Sequence, residues 1–178
     1  MSNNIKYTFK IATEDSEFQQ IFDLNYLSFV EEIPQHSSNS DHTLMDKFHS
    51  KNIYLICLTN KGELVGMLSI ADQRPYSLDS KIGNLDEYIV ENESSCEIRL
   101  LAVKKDYRNS FVFLGLANAL KKYCVEKRYD IAFISGTTRQ LRLYKHLGFI
   151  PFGELVGKDG AKFQPMYKRA EKVESNEK

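Results

Sequence analysis

The order of apolar runs in the second half of the chain constrains the fold most strongly. Cys96–Val103 (CEIRLLAV) has the composition of a strand, and a polar turn separates it from an amphipathic helix. The helix is indicated by apolar residues on one face, namely Phe113, Ala117, Leu120 and Cys124. Ile131–Ile134 is a second apolar strand, and Arg139–Leu147 is a second helix that Thr138 can cap. Strand, helix and strand in this order predict one parallel crossover.

The first half of the chain adds an antiparallel hairpin. Asn52–Thr59 (NIYLICLT) and Glu63–Ile70 (ELVGMLSI) are rich in strand-forming residues, and an Asn-Lys-Gly turn joins them. Ahead of them, Ile5–Ala12 alternates as a strand does, and Thr13 can cap a helix that continues to about Glu32. We therefore expect a strand and a helix to precede the hairpin.

The last elements complete the predicted sheet. Phe149–Val156 and Lys162–Tyr167 have strand composition on either side of a glycine-containing turn. The fold class is therefore α/β (α+β), with a mixed, mostly antiparallel twisted sheet and helices on both faces. A length of 178 residues is short for two domains, so we predict one domain over 1–170 and a disordered charged tail over 171–178.

Composition and charge exclude several classes of protein. Lys plus Arg and Asp plus Glu both total 24, so the net charge is zero and no nucleic-acid-binding face is expected. The N-terminus lacks a basic start followed by an apolar stretch, and no apolar run approaches the ~20 residues that span a bilayer. We expect a soluble, cytoplasmic protein with no membrane span.

Cysteines and histidines indicate no metal site. The three cysteines lie in apolar stretches and form no Cys-x-x-Cys pair, which is typical of reduced core thiols. His36, His42 and His49 lie in a polar region and are expected at the surface. The sequence therefore predicts no bound metal.

Glu97 and Arg99 stand out within the strand Cys96–Val103. A separation of two residues directs both side chains to one face of the strand. A carboxylate that faces a pocket can accept a proton from an amine, which makes Glu97 a candidate general base. The alternative is an ion pair on an exposed face of the sheet.

Arginines also mark two possible anion sites. Arg108-Asn109-Ser110 begins a helix, where free backbone N–H groups and the helix dipole favour a phosphate, with Lys104 and Lys105 nearby. An ordinary solvated turn is the alternative there. Arg74 begins a long polar segment and can pair with a donor phosphate or a substrate carboxylate, although such a residue is often merely solvated.

The order of elements and the segment Leu143-Tyr-Lys-His-Leu-Gly-Phe149 together resemble the GNAT superfamily of N-acyltransferases. The resemblance implies that Tyr144 protonates the leaving thiolate, a role that a phenol with a pKa of ~10 can fill. It also implies that β-strand backbone groups bind pantetheine and that the next turn binds diphosphate. These donor-binding roles fall on Leu101, Ala102, Val103, Arg108, Asn109, Ser110 and Gly115.

Three further segments resemble one branch of that superfamily, the acyl-homoserine-lactone and N-acyl amino acid synthases. The segments are Phe29-Val-Glu-Glu32, Arg74-Pro-Tyr-Ser-Leu78 and the strand from Glu97 to Val103. Enzymes of the branch usually take acyl chains from acyl carrier protein and lack a clean glycine-rich loop. This chain departs from the branch by placing Asn25 at a position that is typically Arg. The substrate-binding candidates are Phe29, Arg74, Arg99 and Ser135.

These features predict an N-acyltransferase that moves an acyl group from a thioester donor to an amine such as an amino acid. The donor is acyl-CoA or the phosphopantetheine of acyl carrier protein. A carrier protein is acidic, and basic residues follow the strand that ends at Val103. They are Lys104, Lys105, Arg108, Lys121, Lys122, Arg139, Arg142 and Lys145. Two alternatives stay open: an acetyl-CoA-dependent N-acetyltransferase of a small amine or protein, and a catalytically silent binding module.

Overall fold

The structure is a computed structural model that describes residues 6–108, 110–158 and 161–171. The chain divides into two compact units. The first contains the described residues up to Arg74 together with Ile98–Lys127, and the second contains Pro75–Glu97 and the described residues from Arg128 onward. The single domain predicted over 1–170 stays a prediction.

In the described residues eight strands form a mixed, mostly antiparallel sheet; the sequence predicts this kind of sheet, with seven strands. The strands are β1 (Tyr7–Ile11), β2 (Ile53–Thr59), β3 (Leu64–Ala71), β4 (Ser95–Val103), β5 (Ile131–Thr137), β6 (Ile150–Pro151), β7 (Val156–Lys158) and β8 (Ala161–Arg169). The α-helices are α1 (Asp15–Tyr26), α2 (Ser110–Lys127) and α3 (Leu141–His146). Single turns of 3₁₀-helix lie at His49–Lys51, Leu78–Ser80, Leu85–Tyr88, Lys105–Tyr107 and Thr138–Gln140.

In the first unit, β1, β2 and β3 pair antiparallel in that order, which confirms the predicted hairpin. Every residue of β3 is buried, because α1 and α2 both pack on this strand. The core beside them contains Ile21, Leu24, Tyr54, Ile56, Leu64 and Met67. Full burial of each large apolar side chain stabilises the fold by about 1.5–3 kcal/mol, so this cluster holds α1 on the hairpin.

The start of α1 differs from the prediction. Glu14, not Thr13, is the N-cap, and it forms a capping box with Glu17. The Glu17 carboxylate accepts hydrogen bonds from the Thr13 and Glu14 N–H groups and from Lys10 Nζ. A π-helix, Leu27–Glu32, continues α1 to the residue at which the sequence predicts the helix to end. Segments of π-helix occur frequently at functional sites.

In the second unit, β8 pairs antiparallel with β5, β6 and β7. The predicted strand over 149–156 is wrong as a single element, since β6 and β7 are short and separate. The predicted helix over 139–147 begins with the 3₁₀ turn and continues as the short α3. Asp159 and Gly160 of the turn before β8, and the predicted tail from 172 onward, lie outside the described residues.

The structure also bears on two predictions from composition, those on membrane-spanning helices and on the cysteines. None of the helices in the described part of the chain is long and apolar enough to cross a bilayer. Cys57 and Cys96 are buried and Cys124 is half-buried, all as free thiols. Burial raises the pKa of Cys57 to about 11, so this thiol stays protonated near neutral pH.

Candidate active site

Strand β4 carries five of the predicted site residues, and its backbone is irregular at Leu100. The φ angle of Leu100 is +54°, in the left-handed region that side chains other than glycine seldom adopt. The three predicted pantetheine-binding residues, Leu101–Val103, follow directly, and the strand ends where Lys104 N–H donates to Val65 O at 2.9 Å. A local irregularity of this kind re-aims the backbone N–H and C=O groups beside it.

Glu97 is held by backbone N–H groups from the segment Pro75–Ser80. Ser77 N–H donates to Oε2 at 2.7 Å, and Leu78 N–H donates to Oε1 at 3.1 Å. The side chain is almost fully buried, with 1% of the residue exposed. The carboxylate accepts both hydrogen bonds, one on each oxygen, and this arrangement favours its ionised form. The segment is further tied to β4 by Tyr76, whose OH group donates to Ser95 O at 2.8 Å.

Arg99 forms a two-pronged ion pair with Asp46. Arg99 Nη1 donates to Asp46 Oδ1 at 3.0 Å, and Nη2 donates to Oδ2 at 2.9 Å. The guanidinium also lies over the Phe48 ring, 5.0 Å from its centroid. Burial alone would raise the pKa of Asp46, but the hydrogen bonds and charge of Arg99, with help from the Phe48 N–H and Asn52, lower it below the ordinary value.

Asp46 is the functional candidate that the sequence analysis missed. Its partner lies 53 residues away in sequence, so no local spacing connects the two. A weak signal existed: Asp46 is a carboxylate within an apolar-flanked turn, Leu44 to Phe48, inside a polar region. Only the packed structure shows that this carboxylate faces β4.

The ion pair extends into a polar network that reaches His49. Asn52 Nδ2 donates to Asp46 Oδ1 at 3.0 Å and to the Tyr54 hydroxyl at 3.1 Å. His49 Nδ1 lies 3.2 Å from the same hydroxyl, and its ring packs edge-on against Phe18 and Phe22. The expected surface position of His49 is therefore wrong: the residue is half-buried because aromatic rings of α1 cover it.

Two cations of the predicted diphosphate site, Arg108 and Lys104, already have partners within the first unit. Arg108 Nε donates to Val103 O at 2.9 Å, and its guanidinium pairs with Glu32 at the end of the π-helix. Lys104 Nζ pairs with Glu63 at 2.9 Å. Ser110 begins α2, whereas Asn109 lies outside the described residues. An anion bound here would compete with two carboxylates for these cations.

Gly115 lies inside α2 and packs against the aromatic ring of Phe9. A Cβ atom at position 115 would lie 1.9 Å from Phe9 Cζ, so no larger residue fits unless that ring moves. Helix packing against β1 thus accounts for the glycine. The donor-binding role predicted for Gly115 stays a prediction.

Tyr144 is half-buried in the second unit, against the end of β5. Burial raises the pKa of Tyr144, and a hydrogen bond with the Thr137 side chain offsets part of that rise. Gly136 permits this position, because a Cβ there would lie 2.7 Å from Tyr144 Cδ2. A phenol with a raised pKa is protonated at neutral pH and can act as a proton donor.

The remaining candidates are placed as follows. Ser135 lies on β5, and its buried Oγ has no hydrogen-bond partner among the described residues. Phe29 lies within the π-helix and packs against the core of the first unit. Arg74 is exposed, and its carbonyl oxygen lies 3.4 Å from Lys51 Nζ. Within the described ranges, no group of three or more His, Cys, Asp or Glu is placed to hold a metal ion.

Solved structures share this fold. An N-acyl amino acid synthase from uncultured soil microbes, FeeM, superposes with a TM-score of 0.78 over 95% of this chain and 93% of its own, at 17% identity. The CoA-dependent acyl-homoserine lactone synthase BjaI, solved with SAM and isopentyl-CoA, gives 0.74 over 91% and 82%, at 18% identity. A putative N-acetyltransferase from Lactobacillus plantarum gives 0.66 over 94% and 99%, at 17% identity.

These similarities confirm the GNAT-like fold. No curated protein sequence matches the chain. The family described as N-acyl amino acid synthase FeeM matches residues 20–167, which is most of the chain. This protein is therefore an acyltransferase that belongs to the FeeM family of N-acyl amino acid synthases.

Proposed function

We propose that the protein transfers a long acyl chain from a thioester, carried by acyl carrier protein or CoA, to the amine of an amino acid. The observation that carries the proposal is the protonated, half-buried phenol of Tyr144, in a chain whose family is that of N-acyl amino acid synthases. FeeM itself is an N-acyl amino acid synthase, and BjaI is CoA-dependent.

The proposed reaction is direct attack. The amine nitrogen attacks the thioester carbonyl carbon, the carbon–sulfur bond breaks, and Tyr144 gives its hydroxyl proton to the departing sulfur. One backbone N–H group within Leu101–Val103 would stabilise the negative charge that develops on the carbonyl oxygen.

We assign the proton of the attacking amine to Glu97, through water. The Glu97 carboxylate accepts hydrogen bonds from the Ser77 and Leu78 N–H groups, which fix its orientation. Its burial beneath the Pro75–Ser80 segment means that this segment controls access to the carboxylate. Glu97 and Tyr144 belong to the same compact unit.

For the donor, we favour an acyl chain on carrier protein. Tight CoA binding needs free cations and close backbone N–H groups at the diphosphate. Here Arg108 pairs with Glu32 and Lys104 with Glu63. Exposed lysines on α2, Lys121 and Lys122, suit an acidic protein partner.

A donor panel tests the proposal. The protein is incubated separately with acetyl-CoA, a long-chain acyl-CoA and carrier protein loaded with a long acyl chain, each across a panel of amino acids. Thiol release and the mass of the N-acyl product are measured. We expect products with the long-chain donors and the highest turnover with the carrier protein.

Each other outcome rejects a stated part. Release only from acetyl-CoA would replace the long-chain donor with an acetyl donor. Thiol release that is faster from CoA thioesters of every chain length than from loaded carrier protein would reject carrier protein as the donor. No release from any donor would reject the enzymatic function and leave a binding module.

A further inference from the structure

The residue of β4 with an irregular backbone, Leu100, directly follows Arg99, whose guanidinium is paired with Asp46. Leu100, with φ of +54°, lies inside a strand, whereas the other non-glycine residues with positive φ in the described ranges lie outside strands and helices. Such a conformation persists only where the surroundings over-determine it. Arg99, the residue before it, makes a two-pronged bond to Asp46 and lies over the Phe48 ring.

Asp46 is in turn rigidly placed. Its Oδ1 accepts hydrogen bonds from Phe48 N–H at 2.9 Å and from Asn52 Nδ2 at 3.0 Å. The segment that carries it is fastened to α1 at Leu44, whose N–H donates to Phe22 O at 3.0 Å and whose carbonyl accepts from Asn25 Nδ2 at 3.2 Å. A chain of bonds therefore runs from α1 through Asp46 to the backbone beside Leu100.

We propose that Asp46 is a positioning residue that, through Arg99, holds Leu100 in its left-handed conformation and so orients the backbone of Leu101–Val103. The catalytic part of this inference rests on the proposed function, because one N–H group of these residues is assigned there to the thioester carbonyl. The structural part does not. A bidentate guanidinium–carboxylate pair fixes the orientation of both side chains as well as pairing their charges. Neither Asn in place of Asp46 nor Lys in place of Arg99 can reproduce that geometry.

The test first breaks the Asp46–Arg99 pair, called the lock below, and then replaces Leu100 by a residue that adopts the left-handed conformation without it. Asp46→Asn keeps the size of the side chain but loses its charge and one of its two acceptors. Leu100→Asn introduces a residue that adopts the left-handed region more readily than Leu does. Misplacement of a reacting group by about 1 Å can cost roughly 10²-fold in rate. We expect Asp46→Asn to lower kcat about 10- to 100-fold. The double variant, Asp46→Asn with Leu100→Asn, should recover most of the parent's kcat.

A matched control is Glu17→Gln, which breaks another ion pair of the first unit, Lys10–Glu17 at 2.7 Å, in which Glu17 is buried and Lys10 is half-buried. It should lower the Tm as Asp46→Asn does but leave kcat within about twofold of the parent. Leu100→Gly is a second rescue variant, since Leu100 packs against the core, where the polar Asn side chain is unfavourable. If Asp46→Asn does not fold, Arg99→Lys replaces it, because Lys keeps the charge and loses the two-pronged geometry.

Amide hydrogen exchange at Leu100 and Leu101 gives a readout that needs no turnover. Exchange there should accelerate in Asp46→Asn, return toward the parent rate in the double variant, and stay unchanged in Glu17→Gln. Unchanged exchange in Asp46→Asn would overturn the positioning role whatever the activity. Faster exchange with an unchanged kcat would keep the lock and reject its part in catalysis, and a failed donor panel would leave the exchange result standing.

Discussion

At the scale of single residues, hydrogen bonds define what Tyr144 and Glu97 can do. Burial raises the pKa of the Tyr144 phenol, which also hydrogen-bonds to the Thr137 side chain. Glu97 accepts two successive backbone N–H groups and is shielded from solvent. The proposed function assigns Tyr144 as the proton donor and Glu97 as the proton acceptor of the acylation.

Tyr144→Phe should remove the proton donor and leave the donor site intact. General acid catalysis typically contributes about 10²–10⁴-fold, so we expect kcat to fall within that range while the affinity for the acyl donor is kept. Kinetics and donor binding measured on the same preparation check this. The control Tyr88→Phe removes the hydroxyl of a tyrosine that stacks on Phe152, and it should leave kcat unchanged. Equal kcat for both variants would exclude Tyr144 as the acid.

Glu97→Gln should lower turnover most at low pH, where the free amine is scarce and proton removal matters most. Gln also presents an NH₂ group to one of the two N–H donors, so amide exchange at Ser77 and Leu78 should accelerate. Rate–pH profiles and hydrogen exchange are the measurements. Glu87→Gln, on the same polar segment, is the control. A profile that matches the parent at every pH would remove Glu97 as the base.

Asp46 gives a prediction about stability and pH. Its pKa in the folded protein is below the ordinary 3.8, so the stabilisation is present above pH 3.8 and is lost as pH falls through the folded-state value. Asp46→Asn leaves the Arg99 charge without its carboxylate and should lower the free energy of unfolding by about 3 kcal/mol at neutral pH. Urea unfolding at neutral pH and below pH 3.8 checks this, and the difference from the parent should shrink in acid. A difference that grows in acid would contradict the assigned direction.

At the scale of elements, α2 approaches β1 closely because Gly115 has no side chain. Gly115→Ala would force its Cβ into the Phe9 ring and should destabilise the protein by about 1–3 kcal/mol. Adding Phe9→Leu should restore much of the Tm by making room. Thermal unfolding of the single and double variants measures the effect.

The same pair of variants separates packing from donor binding. If Gly115 serves only to pack α2, the double variant should have the donor KM of the parent. A KM that stays high after the Tm has recovered would instead support the predicted donor-binding role of this glycine.

At the scale of the whole molecule, each compact unit is assembled from two stretches of chain. The continuous strand β4 contributes Ser95–Glu97 to one unit and Ile98–Val103 to the other. This continuity favours cooperative folding.

We expect a single unfolding transition in urea. The chain has ten tyrosines and no tryptophan, so tyrosine fluorescence and far-ultraviolet circular dichroism are the two probes. Coincident curves would support the single domain predicted over 1–170. Two separated transitions would show that the units unfold independently and that the single-domain prediction is wrong.

What the sequence determined by itself was local in origin. The hairpin of β2 and β3 follows from two apolar runs and a short turn, and the strand–helix order around β4 and α2 follows from periodicity. Tyr144 is identified as a candidate site residue by a contiguous segment, Leu143–Phe149, that resembles the acyltransferase superfamily. These features depend on neighbours within a few residues, which a linear pattern records.

Tertiary structure alone decided how the site residues are held. Asp46 meets Arg99 across 53 residues, and Glu97 is bound by backbone N–H groups, which every residue except proline carries. The left-handed Leu100 has no sequence signal either, because leucine does not favour that conformation. Contacts between distant segments, and contacts made by the backbone, form only when the chain packs, so no pattern of residue types could predict them.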